Sequence, residues 1–364
     1  MSGVYLAGRG LASALGPDLA QATAALRAGG VAPRNFEVGP GLTTPYFAMP
    51  PGETDWATRA RRLVRAAVAE SGAEPAARSG ALLLASTSFD MGVREHGDAF
   101  DLDIAAFAEQ VGGWLDWRGP IFIVCTACTS ALNALLSGAA LLRTGDADDV
   151  LVLGFELANR FTVGGFHAMQ LLSPDRPQPL GTGRHGLVLG EAVAALHLTA
   201  RPARWRVCGG ANVVDSSDPA GAVAGTVAEM GRQALANSGL RADQIDLIKL
   251  QAAGSGNNDA TELAGLRQIF GALPPVLSLK AWLGHTLGAA GAAEIALLTA
   301  CIEADLWPTP SYRLDPALRA PWARQAPLPL RHVLATILGF GGGHTAVVLE
   351  DTWAGDIHRR SGSP

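Results

Sequence analysis

Short β-favouring runs that alternate with longer Ala- and Leu-rich runs of helical period can be buried together only by layering helices on a sheet. This chain sets up that alternation twice. In the first half, residues 4–8 read as a strand and 18–28 as a helix stopped by Gly29 and Gly30. ARRLVRAAVAESG at 60–72 is a helix with its own glycine stop, and GALLLAST at 80–87 is a buried strand. PIFIV at 120–124 is a strand, a helix runs on to Gly145, and DDVLVLGFE at 148–156 is a strand again. Near residues 200–202 the pattern restarts. WRVCGGANVV (205–214), QIDLIKL (244–250) and PVLSLK (275–280) read as strands. AGTVAEMGRQALANSGL (224–240), TELAGLRQIFG (261–271) and residues 288–306 read as helices. HVLATILGFGGGHTAVVLE at 332–350 closes the series as strand, glycine turn and strand. The expectation is a duplicated α/β protein. Residues 1–200 form one half, 201–353 the other, and 354–364 a frayed tail.

Composition narrows the function classes. Of 364 residues 48% are hydrophobic and 17% charged, so a large core is available. The net charge of −5 implies no basic face and argues against a nucleic-acid partner. Four cysteines in so long a chain make no disulfide framework. The N-terminus has no basic region before its apolar stretch and does not read as a signal peptide. The most apolar run, residues 287–306, contains Glu294 and Glu303 and reads as a buried helix, not a membrane span. A cytoplasmic, soluble protein is expected.

Three segments carry chemistry. The first is IVCTACTSALNALL, in which Cys128 stands between a strand and a helix start. Unpaired amides and the helix dipole there favour a thiolate, and the small neighbours leave the sulfur approachable. Cys125, at the end of the strand, is expected to pack. A redox pair and a zinc site fit less well, since Cys208 and Cys301 are isolated. Two small core residues remain an open reading. The second segment, SLKAWLGHTLGAAGAAEIALL, brackets a strand-to-helix turn with Lys280 and His285; a satisfied core histidine is the alternative. The third, ILGFGGGHT, is a glycine-rich turn around Phe340 with no helix after it, so it is not a dinucleotide fingerprint. It suits a close backbone approach to a site, or a plain tight turn.

Together these segments resemble the β-ketoacyl synthase family of the thiolase superfamily. The matching positions are TACTS at 126–130, K-x-x-x-G-H-T-x-G-A-A-G at 280–291 and GFGG at 339–342. RGP at 118–120, GF at 165–166, R-x-G-L-V-L-G-E at 184–191 and PAGA at 219–222 match as well. The resemblance implies a five-layer αβαβα fold of two similar halves and a dimer. It implies no cofactor beyond the phosphopantetheine arm of an acyl carrier protein, which delivers the substrate. It assigns Cys128 as the acyl-accepting nucleophile, His285 as the second catalytic histidine and Lys280 as its support. Phe340 becomes the gating residue, whose amide forms an oxyanion hole with that of Cys128, and Glu191 a buried structural glutamate.

One departure matters most. The family's first histidine closes a D-x-x-x-x-H strand. Here the segment is IDLIKLQAAGSGNNDATE, and alignment on Asp246 and Asp259 puts Gln251 at the histidine position. A shift of one or two residues gives Ala252 or Ala253, never histidine. The family's P-[FW]-D reads Pro179, Leu180, Gly181, and its G-F-G-G-T-N ends as Gly343 and His344. A carboxamide donates a hydrogen bond but exchanges no proton near neutral pH. Acyl transfer needs only a thiolate and an oxyanion hole, whereas decarboxylative condensation also needs donors at the enolate oxygen. Three readings follow: a chain-length-factor-like partner in a heterodimer with an active ketosynthase, a non-elongating transacylase, or an active condensing enzyme with an altered triad, in which His285 and Gln251 suffice or His344 contributes. Phe161, Phe166, Met169 and Leu171 are candidates for an apolar acyl tunnel, or simply core. Arg59, Arg61, Arg62 and Arg65 form a basic cluster that reads as a solvated helix face or a carrier-protein contact.

Overall fold

The computed structural model describes residues 3–50, 52, 55–73, 78–95, 103–215, 217 and 221–354. Pro219 and Ala220 of the PAGA match, and the expected tail from residue 355 onward, lie outside the described residues. The first half runs through β1 (Tyr5–Ser13), α1 (Leu19–Arg27), the hairpin β2 (Arg34–Gly39) and β3 (Leu42–Phe47), α2 (Trp56–Glu70), β4 (Ala81–Ala85) and the one-turn α3 (Met91–Arg94). It continues through α4 (Ile104–Leu115), β5 (Ile121–Val124), α5 (Ser130–Thr144), β6 (Asp149–Glu156), α6 (Arg160–Ala168), β7 (Leu189–Gly190) and β8 (Ala192–Thr199). The second half comprises β9 (Trp205–Val214), α7 (Ala224–Ser238), β10 (Leu247–Lys249), α8 (Asn258–Phe270), β11 (Val276–Leu277), the one-turn α9 (Lys280–Leu283), α10 (Ala290–Glu303), β12 (His332–Leu338) and β13 (Gly343–Asp351).

Ten of these strands form one sheet in the order β11-β10-β12-β13-β9-β1-β8-β6-β4-β5. Read from each edge inward, both halves have the same plan: three parallel strands, then two antiparallel ones. Among the described residues, the strands of the two halves pair within this sheet where β1 meets β9, through Tyr5 with Arg206 and Leu6 with Trp205. Helices α5 and α10 lie between the halves. α5 touches β4 and β6 on one side and β9 and β13 on the other, while α10 touches β1, β6 and β8 as well as β12. Helices α2 and α4 cover the first half, and α7 with α8 covers the second, giving the αβαβα layering. α10 is buried over nearly all its length, as a helix apolar on every side must be. Glu294 is the charged exception on its inner turns. Among the described residues no helix is long and apolar enough to cross a membrane.

Helix ends follow local chemistry. Asp18 and Asp55 accept the amides of Gln21 and Thr58 at 2.7 Å, starting α1 and α2. Gly145 ends α5 in the left-handed conformation, φ 79°. Glu191, buried between β7 and β8, ties α2 to the segments that follow β3 and β6. Its carboxylate accepts two bonds from the Arg59 guanidinium, at 2.8 and 2.9 Å, and the amides of Met49 (2.7 Å) and Ala158 (3.0 Å). Glu191→Ala leaves those donors in the interior with their acceptor gone. We expect it to cost about 3–5 kcal/mol, read as a fall in the urea midpoint at unchanged slope.

Candidate active site

The cysteine turn is built by its own side chains. After β5, Ala127 takes φ 51°, a left-handed conformation uncommon for alanine. Small polar groups hold it there. The Ser130 hydroxyl donates to the Ala127 carbonyl (2.6 Å) and accepts the Thr126 amide (2.9 Å), while the Thr129 hydroxyl donates to the Thr126 carbonyl (2.6 Å). The turn puts Cys128 two residues ahead of α5 with its side chain buried. The His285 ring lies against it, Nε2 at 2.9 Å from Sγ.

His285 is fixed by backbone pairing. Its amide donates to the Val188 carbonyl (2.7 Å) and its carbonyl accepts the Gly190 amide (3.1 Å). Gly284 before it has φ +70°, and a Cβ there would meet Phe47 at 2.7 Å and the Leu189 and Val188 carbonyls at 2.9 Å, so only glycine fits. The glycine turn after β12 approaches just as closely. Gly342 has φ +74°, and a Cβ would sit 1.6 Å from the Asp215 carbonyl oxygen. That turn carries Phe340, whose ring packs on Phe166 with centroids 5.3 Å apart. Backbone hydrogen bonding from Phe340 and from Cys128 itself draws the thiol down.

These residues share a cavity of about 250 Å³, lined by Cys128, His285, Gln251, Phe340, Phe166 and Leu171. Gln170, His185, Ser255 and Asn257 also line it. Gln251, Ala252 and Ala253 all line the cavity, so each alignment of the missing histidine falls on its wall. Their backbone is held by two carboxylates of α8. Glu262 accepts the amides of Gln251 (2.8 Å) and Ala252 (2.9 Å) and the Thr336 hydroxyl (2.6 Å). Asp259 accepts those of Ala253 (3.1 Å), Ser255 (3.2 Å) and Leu180 (2.8 Å). Burial pushes Glu262 up to about 7 and Asp259 up to about 6, against the pull of those bonds. The Gln251 Oε1 atom is buried and has no hydrogen-bond partner among the described residues.

Several sequence expectations need correction. A helix start was to favour the Cys128 thiolate; burial outweighs it and pushes the thiol up to about 11, with the Phe340 amide and Lys280 offsetting only part. Cys125 does not pack. It is exposed, just beyond the end of β5, the outermost strand of the sheet. The tunnel candidates divide: Phe166 and Leu171 line the cavity, whereas Phe161 and Met169 stand outside it, 61% and 54% exposed. The arginine cluster divides too. Arg59 binds Glu191, Arg65 donates to the Trp114 carbonyl at 2.7 Å, and Arg61 and Arg62 are exposed. His344 is buried between β9 and β12 and does not line the cavity.

Burial also lowers His285 well below the ordinary imidazole range, and Lys280 and Lys249 add to the effect. The resting pair is therefore a thiol beside a neutral imidazole, which can take the thiol proton as the sulfur attacks an acyl group. Behind it Lys280 contacts Glu294, and Lys249 contacts the other oxygen of the same carboxylate; all three are buried. Sequence reading missed Lys249, Glu262 and His185. Only an acidic position eight residues past Gln251 hinted that α8 would hold this wall.

The arrangement has relatives. The family profile described as beta-ketoacyl synthase, N-terminal domain, matches residues 77–203, and its C-terminal domain counterpart matches residues 208–312. The chain belongs to the β-ketoacyl synthase family. Within it, the chain is 36% identical to nodulation protein E of Rhizobium sp. (strain N33) over 225 residues, 57% of this chain and 55% of that one. It is 29% identical to the chloroplastic 3-oxoacyl-[acyl-carrier-protein] synthase II of Arabidopsis thaliana over 262 residues, 64% of this chain and 48% of the relative. The chain thus spans about half the length of these curated relatives. Among solved ketosynthases, the complex of a ketosynthase with its chain length factor from Xenorhabdus doucetiae matches with a TM-score of 0.81 and 26% identity, covering 96% of this chain and 98% of that one. The ishigamide ketosynthase/chain length factor shares the fold, with a TM-score of 0.83 at 23% identity over 96% and 99% of the two chains.

Proposed function

We propose that this chain is a ketosynthase-like subunit of carrier-protein-based polyketide or fatty acid synthesis. It acts as a chain-length-factor-like partner of a second, complete ketosynthase. Gln251 carries the reading. Condensation requires donors on both sides of the enolate that forms when a malonyl extender loses CO₂. In this cavity the His285 imidazole meets the Cys128 sulfur, and the position aligned with the missing histidine carries the Gln251 carboxamide. The carboxamide donates but exchanges no proton, so decarboxylation is the step that suffers. An open sheet edge at β5, with Phe122 exposed, supports a second subunit docking there. The likeness to the Xenorhabdus complex supports the same view. Substrate arrives on the phosphopantetheine of an acyl carrier protein, and the work is cytoplasmic.

The paired Cys128 and His285, with two amides at the sulfur, favour a second reading: a transacylase that loads an acyl group and does not extend it. Reconstitution with a co-encoded ketosynthase separates the two. A chain-length partner changes the length of the product made by the pair. A transacylase leaves that length unchanged and moves acyl groups between carrier proteins by itself.

A further inference from the structure

We propose that a second cavity, beside α9, is a binding site for a small amphipathic carboxylate: its apolar walls take the ligand's chain, and the guanidinium of Arg176 takes the anionic head. The inference does not rest on the carrier-protein role given to the chain above.

The cavity has a volume of about 260 Å³, close to that of the catalytic one, and the two share no lining residue. It lies between the turn after α1, the end of β3, α9 and the loop at 310–312. Val31, Phe47, Trp282, Pro310 and Tyr312 form its apolar walls. Several of these are held from behind. The Trp282 ring packs on Trp322, with centroids 6.4 Å apart. The Tyr312 hydroxyl donates to the Pro179 carbonyl at 3.0 Å, and the Phe47 carbonyl accepts the Glu191 amide at 3.0 Å. Gly30 has φ +89°, and a Cβ there would stand 2.3 Å from Cδ1 of Trp282, so the turn needs glycine to pass the indole. A ligand entering this hollow meets groups already in place and loses little by ordering them. Val31 is 38% exposed, apolar surface that such a ligand would cover.

Charge decides the class. Among the described residues Arg176 is the one charged side chain that lines the cavity, and no acidic one does. Asp175 precedes it but is engaged by its own turn, accepting the Arg176 amide at 2.6 Å and the Ser173 hydroxyl at 3.2 Å. The Arg176 guanidinium is exposed and makes no hydrogen bond or ion pair among the described residues. Arg34 and Arg313, both exposed, adjoin the lining residues Pro33 and Tyr312. The neighbourhood is therefore positive in a chain whose net charge is −5. A guanidinium meets a carboxylate with two parallel hydrogen bonds. The apolar walls suit a hydrocarbon chain and not a sugar or a polyanion. At about 30 Å³ per water-sized group the cavity holds roughly nine non-hydrogen atoms, near the size of an eight-carbon acid.

The test is calorimetric titration of octanoate into the full chain. The wild-type chain should bind octanoate saturably, with a Kd of about 1 mM or tighter. Arg176→Ala, a change at an exposed side chain, should weaken binding by at least about tenfold, the usual loss for a charge-assisted contact. Ser311→Trp, which fills the cavity from its exposed edge, should abolish binding. Octanol, the same chain without the anion, should bind at least about tenfold more weakly than octanoate. No saturable binding to the wild type would overturn the proposal. So would equal binding by wild type and Arg176→Ala, which would put octanoate elsewhere, the catalytic cavity included. Octanol binding as well as octanoate would overturn the carboxylate class. If Ser311→Trp does not fold, Arg176→Ala decides alone. No carrier protein or second ketosynthase enters the assay, so its result stands whichever way the reconstitution above turns out.

Discussion

Gln251→His is expected to raise carrier-protein-dependent condensation by the chain alone by about 10²–10³-fold, the usual worth of one donor at a developing oxyanion. The backbone at this position is already held, because Glu262 accepts the amides of residues 251 and 252. The carboxamide oxygen has no partner to lose among the described residues. An imidazole there would face the cavity opposite His285 and supply the second titratable donor at the enolate. The check is release of CO₂ from malonyl-carrier protein, together with the mass of the elongated product. If neither rises, the deficit lies elsewhere than at 251.

Cys128→Ala is expected to abolish the acyl adduct entirely, since among the described residues no other thiol lines the cavity. The same variant should leave elongation by the reconstituted pair intact. A chain-length partner contributes its surface and cavity to the partner's product, not its sulfur. Loss of elongation together with the adduct would mean that acyl groups pass through Cys128 on their way to the partner. Intact-mass spectra of the two preparations, with and without the second ketosynthase, read both outcomes.

The layered fold was legible because burial leaves a periodic trace. Residues 80–87 read as a strand and 332–350 as strand, turn and strand; β4 and β12 fall within them and β13 overruns the second by one residue. Gly145 read as a helix stop and ends α5. The β2–β3 hairpin passed unread: NFEVGPGLTTPYF alternates poorly, and the hairpin is completed only by the distant β7. The order of ten strands is not a local property at all. At the site, Cys128, His285 and Phe340 were legible because each sits in a turn whose glycines or small residues are dictated by close approach. Lys249 was not, because the sequence cannot show that a lysine at 249 and another at 280 meet one glutamate at 294. The two errors at the cysteine turn share a cause. A helix start argues for a thiolate and a strand end argues for packing, yet both effects depend on what neighbouring elements cover. The cavity buries Cys128, and the sheet edge exposes Cys125.

The central claim is that this chain holds an intact thiol site and an incomplete decarboxylation site. Its most direct test incubates the purified chain alone with malonyl- and acyl-carrier protein, reads intact mass, and repeats the incubation with a co-encoded ketosynthase. The account predicts no elongated product from the chain alone and elongation when the two proteins are together. An elongated product from the chain alone would contradict it, because His285 and Gln251 would then suffice for condensation.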